Sequence, residues 1–466
     1  MEEDSFIDEE EINKLIEKHK NTSEDEINLI LEKASKLKGL DLDEVAALIN
    51  INDKNLLDKL FEIAFKIKNK IYGNRLVLFA PLYVSNFCSN NCLYCGFRKD
   101  NEDMKRKCLS LNDIKDETKL ILENGHKRIL MLMGESSTEC DFDYFLETIE
   151  ASYSVKDSKG SSIRRINIEI APLSEEEFKK LSNVKIGTYT VFQETYHKET
   201  YNKMHPVGKK SDYLWRLNTM DRALKNGLND VGIGALFGLY DYKFEVLALI
   251  QHSTHLDKTY GVGPHTISIP RIEPAQNAPA TQKIPNKVSD NNFKKLVAVL
   301  RCAVPYTGII LSTRESAEMR EDIFNLGVSQ ISAGSKTNPG GYGEAIINPE
   351  DEEQFTLNDT RSTGEIIKSV IKHGFIPSFC TGCYRLGRVG QDFMDLAKPG
   401  LIHLHCLPNA LTTLKEYLID YADEETKKEG NNLIEKELNN IPNEERKKKT
   451  KEFLDKIEKG ERDLYF

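Results

Sequence analysis

Eight short β-rich runs, each followed by a segment long enough for a helix, constrain the fold more than any other feature of this sequence. They span about 260 residues, the usual size of a (β/α)8 barrel. An open doubly wound sheet is the competing fold, but no Gly-x-Gly-x-x-Gly turn follows the first run. We therefore expect an α/β protein built on a (β/α)8 TIM barrel. The runs are 75–86, 128–135, 165–172, 187–194, 230–239, 265–274, 306–315 and 330–338.

The regions on either side of the barrel complete a three-part organisation. Residues 1–73 read as a helical N-terminal extension, in which Ser23 and Asp53 have the N-cap residue types. Residues 74–354 form the predicted barrel. Residues 355–466 form a mostly helical C-terminal domain with a second group of cysteines, for which we expect an iron–sulfur site. Its last part, 431–466, is rich in Glu and Lys, and we interpret it as a solvated helical tail.

Composition excludes several classes of function. A net charge of −10 over 466 residues argues against a nucleic-acid surface. The mean hydropathy is −0.48, and no apolar run approaches the ~20 residues that cross a bilayer. Because the acidic N-terminus lacks the pattern of a signal peptide, we expect a cytoplasmic protein without membrane or nucleic-acid partners. The nine cysteines are clustered, which favours metal ligation over disulfides.

The first cysteine group follows the first predicted strand. Cys88, Cys92 and Cys95 have the spacing Cys-x3-Cys-x2-Cys. A structural zinc site normally has four protein ligands, and an electron-transfer iron–sulfur cluster usually has four cysteines. Three thiolates therefore predict a cluster with one metal position left open for chemistry.

The second cysteine group also provides three thiolates. Cys380, Cys383 and Cys406 have the spacing Cys-x2-Cys-x22-Cys. His403 and His405 lie beside Cys406, so a zinc site of the Cys3His type remains an alternative. A second iron–sulfur cluster with an open position is the favoured interpretation. The isolated cysteines are expected to be buried packing residues; they are Cys108, Cys140 and Cys302.

Polar or reactive residues follow several predicted strands, where barrel enzymes place their catalytic groups. Taken singly, each could be an ordinary solvated loop residue, but together they predict an active site. The residues are Gly134 and Glu135, Gln193 and Glu194, Arg271 and Glu273, and Ser312, Thr313, Arg314 and Glu315.

These motifs resemble one family. The cysteine run 86–97, the run 193–196 and the run 264–270 are similar to those of aromatic-amino-acid lyases of the radical S-adenosylmethionine (SAM) superfamily. With the C-terminal cysteines, the chain resembles the tyrosine lyases of FeFe-hydrogenase maturation, in the 2-iminoacetate-synthase-like family. The likeness runs from about residue 75 to 420.

The resemblance implies how the first site is used. Cys88, Cys92 and Cys95 would hold a 4Fe–4S cluster whose open iron binds SAM, and one electron would then yield a 5′-deoxyadenosyl radical. The remaining SAM contacts implied are Gly134 and Glu135 for the amino group, Glu194 for the ribose, Tyr94 beside the adenine, and Gly232 and Gly234 for close approach of a strand.

The resemblance also implies L-tyrosine as substrate. Arg314 would bind its carboxylate as a bidentate fork, supported by Ser312, and Tyr83 would approach its amine. Hydrogen abstraction at the amino nitrogen and Cα–Cβ scission would give p-cresol and dehydroglycine. An ion pair between Arg314 and Glu315 is the plain structural alternative.

The second site would complete the chemistry in this family. An auxiliary 4Fe–4S cluster on Cys380, Cys383 and Cys406 would carry a fifth iron through a bridging cysteine-type thiolate, with His265 as a ligand. Dehydroglycine would break down there to carbon monoxide and cyanide, giving an Fe(CO)(CN) unit for the hydrogenase cofactor. Implied partners are a reductant such as ferredoxin or flavodoxin and other hydrogenase maturation proteins.

Two other functions remain open at this stage. A radical SAM tyrosine lyase could release dehydroglycine intact for thiazole biosynthesis, although that activity has no use for the second cysteine group. A non-catalytic iron–sulfur carrier would explain two cysteine groups but not a barrel with polar strand ends.

Overall fold

Eight parallel strands form a closed barrel in this computed structural model, which describes residues 5–343 and 351–466. Closure comes from the first strand, which pairs with both the second and the eighth. Every strand lies within its predicted run, so the barrel fold is confirmed. The strands are β1 Arg75–Ser85, β2 Arg128–Met133, β3 Arg165–Glu169, β4 Tyr189–Thr190, β5 Val231–Gly234, β6 Thr266–Ser268, β7 Gly308–Leu311 and β8 Gln330–Ser332.

Helices precede the barrel, as the sequence predicts. The N-caps are as expected: the Ser23 side chain accepts from the Glu26 N–H and the Asp53 side chain from the Leu56 N–H. The fourth helix packs against the second and leads through Gly73 into β1. The helices are α1 Glu9–Lys18, α2 Glu24–Ser35, α3 Leu42–Ile49 and α4 Lys54–Tyr72.

Helices in the connections between strands surround the barrel. Their apolar residues face the strands and form one continuous core with them. They are α5 Leu111–Glu123, α6 Phe142–Tyr153, α7 Glu175–Leu181, α8 Lys198–Met204, α9 Tyr213–Leu217, α10 Thr219–Lys225, α11 Tyr242–Tyr260, α12 Pro279–Gln282, α13 Asp290–Ala303 and α14 Ala317–Ile323.

The C-terminal region contains a strand that the sequence did not predict. Strand β9, Ile376–Ser378, pairs in parallel with β1, with Ile376 opposite Arg75. Helix α18 packs against β9 and carries α19 and α20 on its other sides. The helices are α15 Thr363–Lys372, α16 Gly382–Arg385, α17 Gly390–Ala397, α18 His403–Asp420, α19 Glu424–Leu438 and α20 Glu444–Glu458.

Two expectations from the sequence are wrong, one about the C-terminal tail and one about two cysteines in the barrel segment. The tail 431–466 is not a solvated extension, because Ile434, Leu454 and Ile457 are buried in the core. Cys108 and Cys140 are not isolated packing residues, because a disulfide joins them. Cys302 is a buried core residue, as expected. No helix in the described part of the chain is long and apolar enough to span a membrane.

Candidate active site

The first cysteine triplet lies in the loop that leaves the carboxyl end of β1. All three thiols are free; Cys92 is buried, while Cys88 and Cys95 are partly exposed. The Nδ2 of Asn90 lies 3.8 Å from the Cys88 sulfur, and the Nε2 of Gln354 lies 3.7 Å from the Cys95 sulfur. Burial raises the pKa of Cys92 to about 12 and that of Cys95 to about 11. These are thiols that a metal must deprotonate on binding.

Gly134 and Glu135, at the end of β2, hold this loop in place. A Cβ on Gly134 would lie 2.3 Å from the carbonyl oxygen of Phe87, so only glycine allows the approach. The carbonyl of Glu135 accepts from the Ser89 N–H at 2.7 Å, and its carboxylate accepts from Asn90 at 2.6 Å. Both residues line an open cleft of about 680 Å³ beside the triplet. Their contact with the SAM amino group stays a prediction.

Glu194 is a buried carboxylate at the carboxyl end of β4. Its Oε1 accepts from the Nζ of Lys210 at 2.5 Å and from the Nη2 of Arg216 at 3.5 Å. Burial alone would raise the pKa of Glu194, but the two cations outweigh it and lower the pKa to about 2. The residue has a φ of +71°, a strained backbone of the kind often found at functional sites. Glu194 is therefore ionised throughout the physiological range and can accept hydrogen bonds from hydroxyl groups; its contact with the SAM ribose stays a prediction.

The structure offers packing explanations for three other predicted SAM contacts. The Tyr94 hydroxyl bonds the Nε2 of His205 at 2.7 Å, and its ring packs in an apolar cluster with Cys92. A Cβ on Gly232 would lie 2.4 Å from the Thr266 hydroxyl, and one on Gly234 would lie 2.8 Å from the Phe192 ring. Barrel packing thus accounts for both glycines, and their approach to adenine stays a prediction.

The predicted substrate residues line one cavity inside the barrel mouth: Tyr83, Ser312 and Arg314. Among the described residues Arg314 has no carboxylate within ion-pairing distance, because Glu315 pairs with Arg271 instead. The Arg314 guanidinium lies 3.3 Å from the centroid of the Phe355 ring. The Tyr83 hydroxyl donates to the Oε1 of Gln354 at 2.8 Å. The ion pair between Arg314 and Glu315 is therefore excluded, and Arg314 remains available for an anionic ligand.

Glu169, the last residue of β3, also lines this cavity, and the sequence reading missed it. Its carboxylate has no hydrogen-bonding or ion-pairing partner within residues 5–343 and 351–466. Burial, and then the charge of Glu194, raise the pKa of Glu169 to about 7, against the opposing effect of Arg314. The substrate cavity thus holds two charged groups that form no ion pair with any described residue. One is the guanidinium of Arg314 and the other is the carboxylate of Glu169.

The second cysteine triplet lies at the opposite end of the barrel. Cys380 follows β9, Cys383 lies in α16 and Cys406 lies in α18. All three line one cavity of about 50 Å³ together with His265, which stands just before β6. The Nη2 of Arg75, at the start of β1, donates to the Cys406 sulfur at 3.3 Å. Because the first triplet follows the end of β1, the two triplets occupy the two mouths of the barrel.

Only one of the three candidate histidines, His265, lines this second cavity. Burial lowers the pKa of His265 to about 4, so its imidazole is neutral, and its Nδ1 lies 3.6 Å from the Oδ1 of Asp230. His403 and His405 do not line the cavity. The Nδ1 of His403 bonds the Gly400 carbonyl at 2.6 Å, and the Nδ1 of His405 lies 3.3 Å from the Nη1 of Arg446. The structure therefore gives no support to a Cys3His zinc site that uses His403 or His405.

Comparison with known proteins identifies the family of this chain. The model of the radical SAM superfamily matches residues 82–251, and that of the biotin and thiamin synthesis associated domain matches residues 268–376. The 2-iminoacetate synthase of Escherichia coli (strain K12) is 32% identical over 362 residues, covering 78% of this chain and 92% of that protein. The chain belongs to the radical SAM superfamily, in the group of 2-iminoacetate synthase and the hydrogenase maturases.

Solved structures of radical SAM maturases extend the match to nearly the whole chain. A crystal structure of HydG, a maturase of the FeFe-hydrogenase, is 50% identical with a TM-score of 0.95, covering 99% of this chain and 100% of that one. HydG from Carboxydothermus hydrogenoformans is 42% identical with a TM-score of 0.83, covering 96% of this chain and 97% of that one. The protein is a radical SAM lyase of the tyrosine-lyase type, as the sequence predicts.

The donors of the first triplet fit the cofactors of a radical SAM enzyme, a 4Fe–4S cluster and SAM. Three free thiols lie in one loop, and an open cleft adjoins that loop. Within residues 5–343 and 351–466 no three Cys, His, Asp or Glu side chains converge as a single metal ion requires. In a multi-iron cluster each thiolate binds a different iron atom, so the donor atoms lie farther apart than they do around a single metal ion. The free thiols and neutral imidazole of the second cavity fit an iron–sulfur group for the same reason.

Proposed function

We propose that this radical SAM lyase cleaves L-tyrosine to p-cresol and dehydroglycine at the first site, and that dehydroglycine yields carbon monoxide and cyanide at a second iron–sulfur site. The product would be an Fe(CO)(CN) unit for FeFe-hydrogenase cofactor assembly. The observation that carries the proposal is the second cavity, where three free cysteines and a neutral histidine meet at the far mouth of the barrel.

The first site would hold its cofactors with residues already described. Cys88, Cys92 and Cys95 would bind the 4Fe–4S cluster, and the ionised Glu194 would accept from the SAM ribose. When bound there, SAM and the cluster supply a carbon radical that removes a hydrogen atom from the substrate amine. The electron for this chemistry would come from a reductant such as ferredoxin or flavodoxin.

The charges in the substrate cavity match a zwitterionic amino acid. Arg314 would take the carboxylate as a fork, and Ser312, which lines the same cavity, would support it. Glu169 would face the ammonium group and accept one proton from its nitrogen, which leaves the neutral amine from which hydrogen is abstracted. A carboxyl whose pKa is about 7 is suited to this transfer near neutral pH. Tyr83 would lie beside the same nitrogen.

Binding a tyrosine requires the cavity to open. Its volume is about 90 Å³, well below the several hundred Å³ of a typical small-molecule pocket. The Phe355 ring covers the Arg314 guanidinium, so we expect Phe355 to move aside when a substrate carboxylate arrives.

The second site would act on the fragment formed at the first. Cys380, Cys383 and Cys406 would bind the auxiliary cluster, and His265 would bind an additional iron held through a cysteine-type thiolate. When bound there, that iron would supply a coordination site for carbon monoxide and cyanide. Other hydrogenase maturation proteins would receive the product.

A specific observation also favours a second function, thiazole biosynthesis with release of dehydroglycine. The chain is 32% identical to a 2-iminoacetate synthase. That relative, however, matches 78% of this chain, whereas the two HydG structures cover 99% and 96%. The fuller coverage supports the function with carbon monoxide and cyanide.

Product analysis separates the two functions. Reconstituted protein is incubated without oxygen with SAM, dithionite and tyrosine. We expect p-cresol together with carbon monoxide and cyanide; p-cresol and glyoxylate without carbon monoxide would select the alternative. Cys383→Ala should keep p-cresol formation and stop carbon monoxide formation, and Cys302→Ala, which removes a buried thiol outside both sites, is the matched control.

A further inference from the structure

The segment 207–210 packs along the loop that carries the first cysteine triplet. The N–H of Asn91 donates to the carbonyl of Val207 at 3.2 Å. Gly208 has a φ of +96°, and a Cβ there would lie 2.2 Å from the Oδ1 of Asn90, so only glycine allows this approach. The backbone of the segment is therefore held directly against the residues between the cysteines.

Lys210, the last residue of this segment, contacts the cysteine loop at both its backbone and its side chain. Its N–H donates to the Oδ1 of Asn90 at 2.9 Å. Its Nζ lies 5.6 Å from the centroid of the Tyr94 ring, and Tyr94 packs with Cys92 in one apolar cluster. Asn90 precedes Cys92 by two residues and Tyr94 follows it by two. The ammonium group is thus fixed beside the middle of the triplet.

Lys210 belongs to a buried group with excess positive charge. The Oε1 of Glu194 accepts from the Nζ of Lys210 at 2.5 Å and from the Nη2 of Arg216 at 3.5 Å. Two positive charges and one negative charge leave a net charge of +1. The side chains of Lys210 and Glu194 are only 13% and 10% exposed, so salt and water screen this charge weakly.

The excess charge acts on the cysteines. Burial raises the pKa of Cys92, and among the charged side chains Lys210 lowers that pKa more than Glu194 raises it. The carboxylate of Glu194 therefore does not cancel the field of Lys210 at the place where a cluster would bind.

Arg106 and Glu135 add one positive and one negative charge beside the same loop. The Nη1 of Arg106 donates to the carbonyls of Asn86 and Phe97 at 2.7 and 2.8 Å, which joins the two ends of the loop. The Glu135 carboxylate accepts a hydrogen bond from the loop. These opposite charges offset each other, so the excess positive charge remains on the side of Lys210.

Reduction by one electron adds a negative charge to an iron–sulfur cluster. A fixed cation nearby stabilises the reduced state more than the oxidised state, and the surrounding charge and solvent exposure are among the factors that set the potentials of such clusters. A buried cation beside the first triplet thus favours the uptake of an electron.

We propose that Lys210 raises the reduction potential of the first cluster, so that the cluster accepts its electron more readily. Lys210 acts through the charge of its ammonium group and is neither a metal ligand nor a catalytic residue. The inference requires only the cluster of a radical SAM enzyme on the first triplet. It does not depend on the substrate or on the second site.

The test is the midpoint potential of the first cluster without SAM. It is measured from the EPR signal of the reduced cluster during an anaerobic redox titration. All proteins carry Cys380→Ala and Cys383→Ala, which confine the cluster to the first triplet. We expect Lys210→Gln to lower the equilibrium constant for reduction at least about tenfold, which equals about 59 mV for a one-electron couple.

Three variants separate the charge of Lys210 from a structural role. Lys209→Gln is the matched control, because it removes the same charge from an exposed neighbour and should shift the potential much less. Lys210→Arg keeps the charge and should restore a potential close to that of the wild type. Glu194→Gln should shift the potential in the positive direction, since it removes the carboxylate that partly offsets Lys210.

The outcomes decide the proposal. An unchanged potential in Lys210→Gln with the iron content retained, or an equal shift in Lys209→Gln, overturns it. A potential in Lys210→Arg as low as that in Lys210→Gln also overturns it, because the charge would then not be the cause. If Lys210→Gln loses its iron, Glu194→Gln decides, and a potential that does not rise in that variant refutes the electrostatic role.

Discussion

Replacing Glu169 by glutamine should stabilise the protein, and the gain can be calculated from the pKa. Burial and the nearby charge of Glu194 raise the pKa of Glu169 from an ordinary 4.5 to about 7. The unfolded chain therefore loses this proton at lower pH than the folded chain. Stability falls as pH rises through this interval and stays reduced above it. At 1.36 kcal/mol per pKa unit, the full cost is about 3 kcal/mol.

Glu169→Gln removes this pH-dependent cost because an amide does not ionise. The free energy of unfolding of the variant, minus that of the wild type, should increase by about 2.5 kcal/mol between pH 5 and pH 8. The assay is urea unfolding of the cluster-free chain at several pH values. A difference that is constant across this pH range would refute the claim that Glu169 is desolvated. Glu176→Gln, an exposed change on the following helix, should give no such trend.

The same variant should lose activity. Without a proton acceptor at the amine, p-cresol formation should fall at least about 100-fold, while formation of 5′-deoxyadenosine from SAM continues. In the wild type, p-cresol formation should decrease about tenfold from pH 8 to pH 6 as Glu169 becomes protonated. An unchanged rate in Glu169→Gln would contradict the proposed proton transfer and leave the stability argument intact.

Four further predictions test other parts of the structure. Arg314→Lys should raise the KM for tyrosine about tenfold or more in a p-cresol assay, because an ammonium group cannot form a fork with the carboxylate. Glu194→Gln should weaken SAM binding in calorimetric titration, because the variant loses an ionised acceptor. His265→Ala should lower carbon monoxide and cyanide output more than p-cresol output, and an equal loss would make His265 merely structural. Ile457→Ala in α20 should cost about 2–4 kcal/mol of unfolding free energy and release iron from the second site before the first, measured by iron analysis during mild denaturation.

The barrel was predictable because each strand is an apolar run between helical segments. Strand β9 was not, since it has three residues with Pro377 at its centre and gains its order by pairing with β1. Likewise, the charge of 431–466 suggested exposure, but α20 buries a narrow apolar stripe against α18. In both cases tertiary contacts, which no local pattern reports, decide the structure.

The types of metal ligand at the site were predictable from the sequence. The pairing of the charged residues around them was less predictable. Glu169 left a signal, because Arg165, Asn167 and Glu169 alternate with three isoleucines, a period of two that points polar residues to one face of a strand. The partner of Arg314 was not predictable, since only the fold shows that Glu315 pairs with Arg271. The disulfide between Cys108 and Cys140 left no signal in their separation of 32 residues.

Gln330 borders both sites in the barrel. It stands at the start of β8 and lines both the substrate cavity and the second cavity. Its Oε1 is buried without a hydrogen-bonding partner among residues 5–343 and 351–466, and a Cβ on Gly308 would lie 2.5 Å from its Nε2. Gln330 thus presents a buried amide oxygen where it borders both cavities. Under the proposed function, dehydroglycine that travels from the first site to the second would find a hydrogen-bond acceptor in this oxygen.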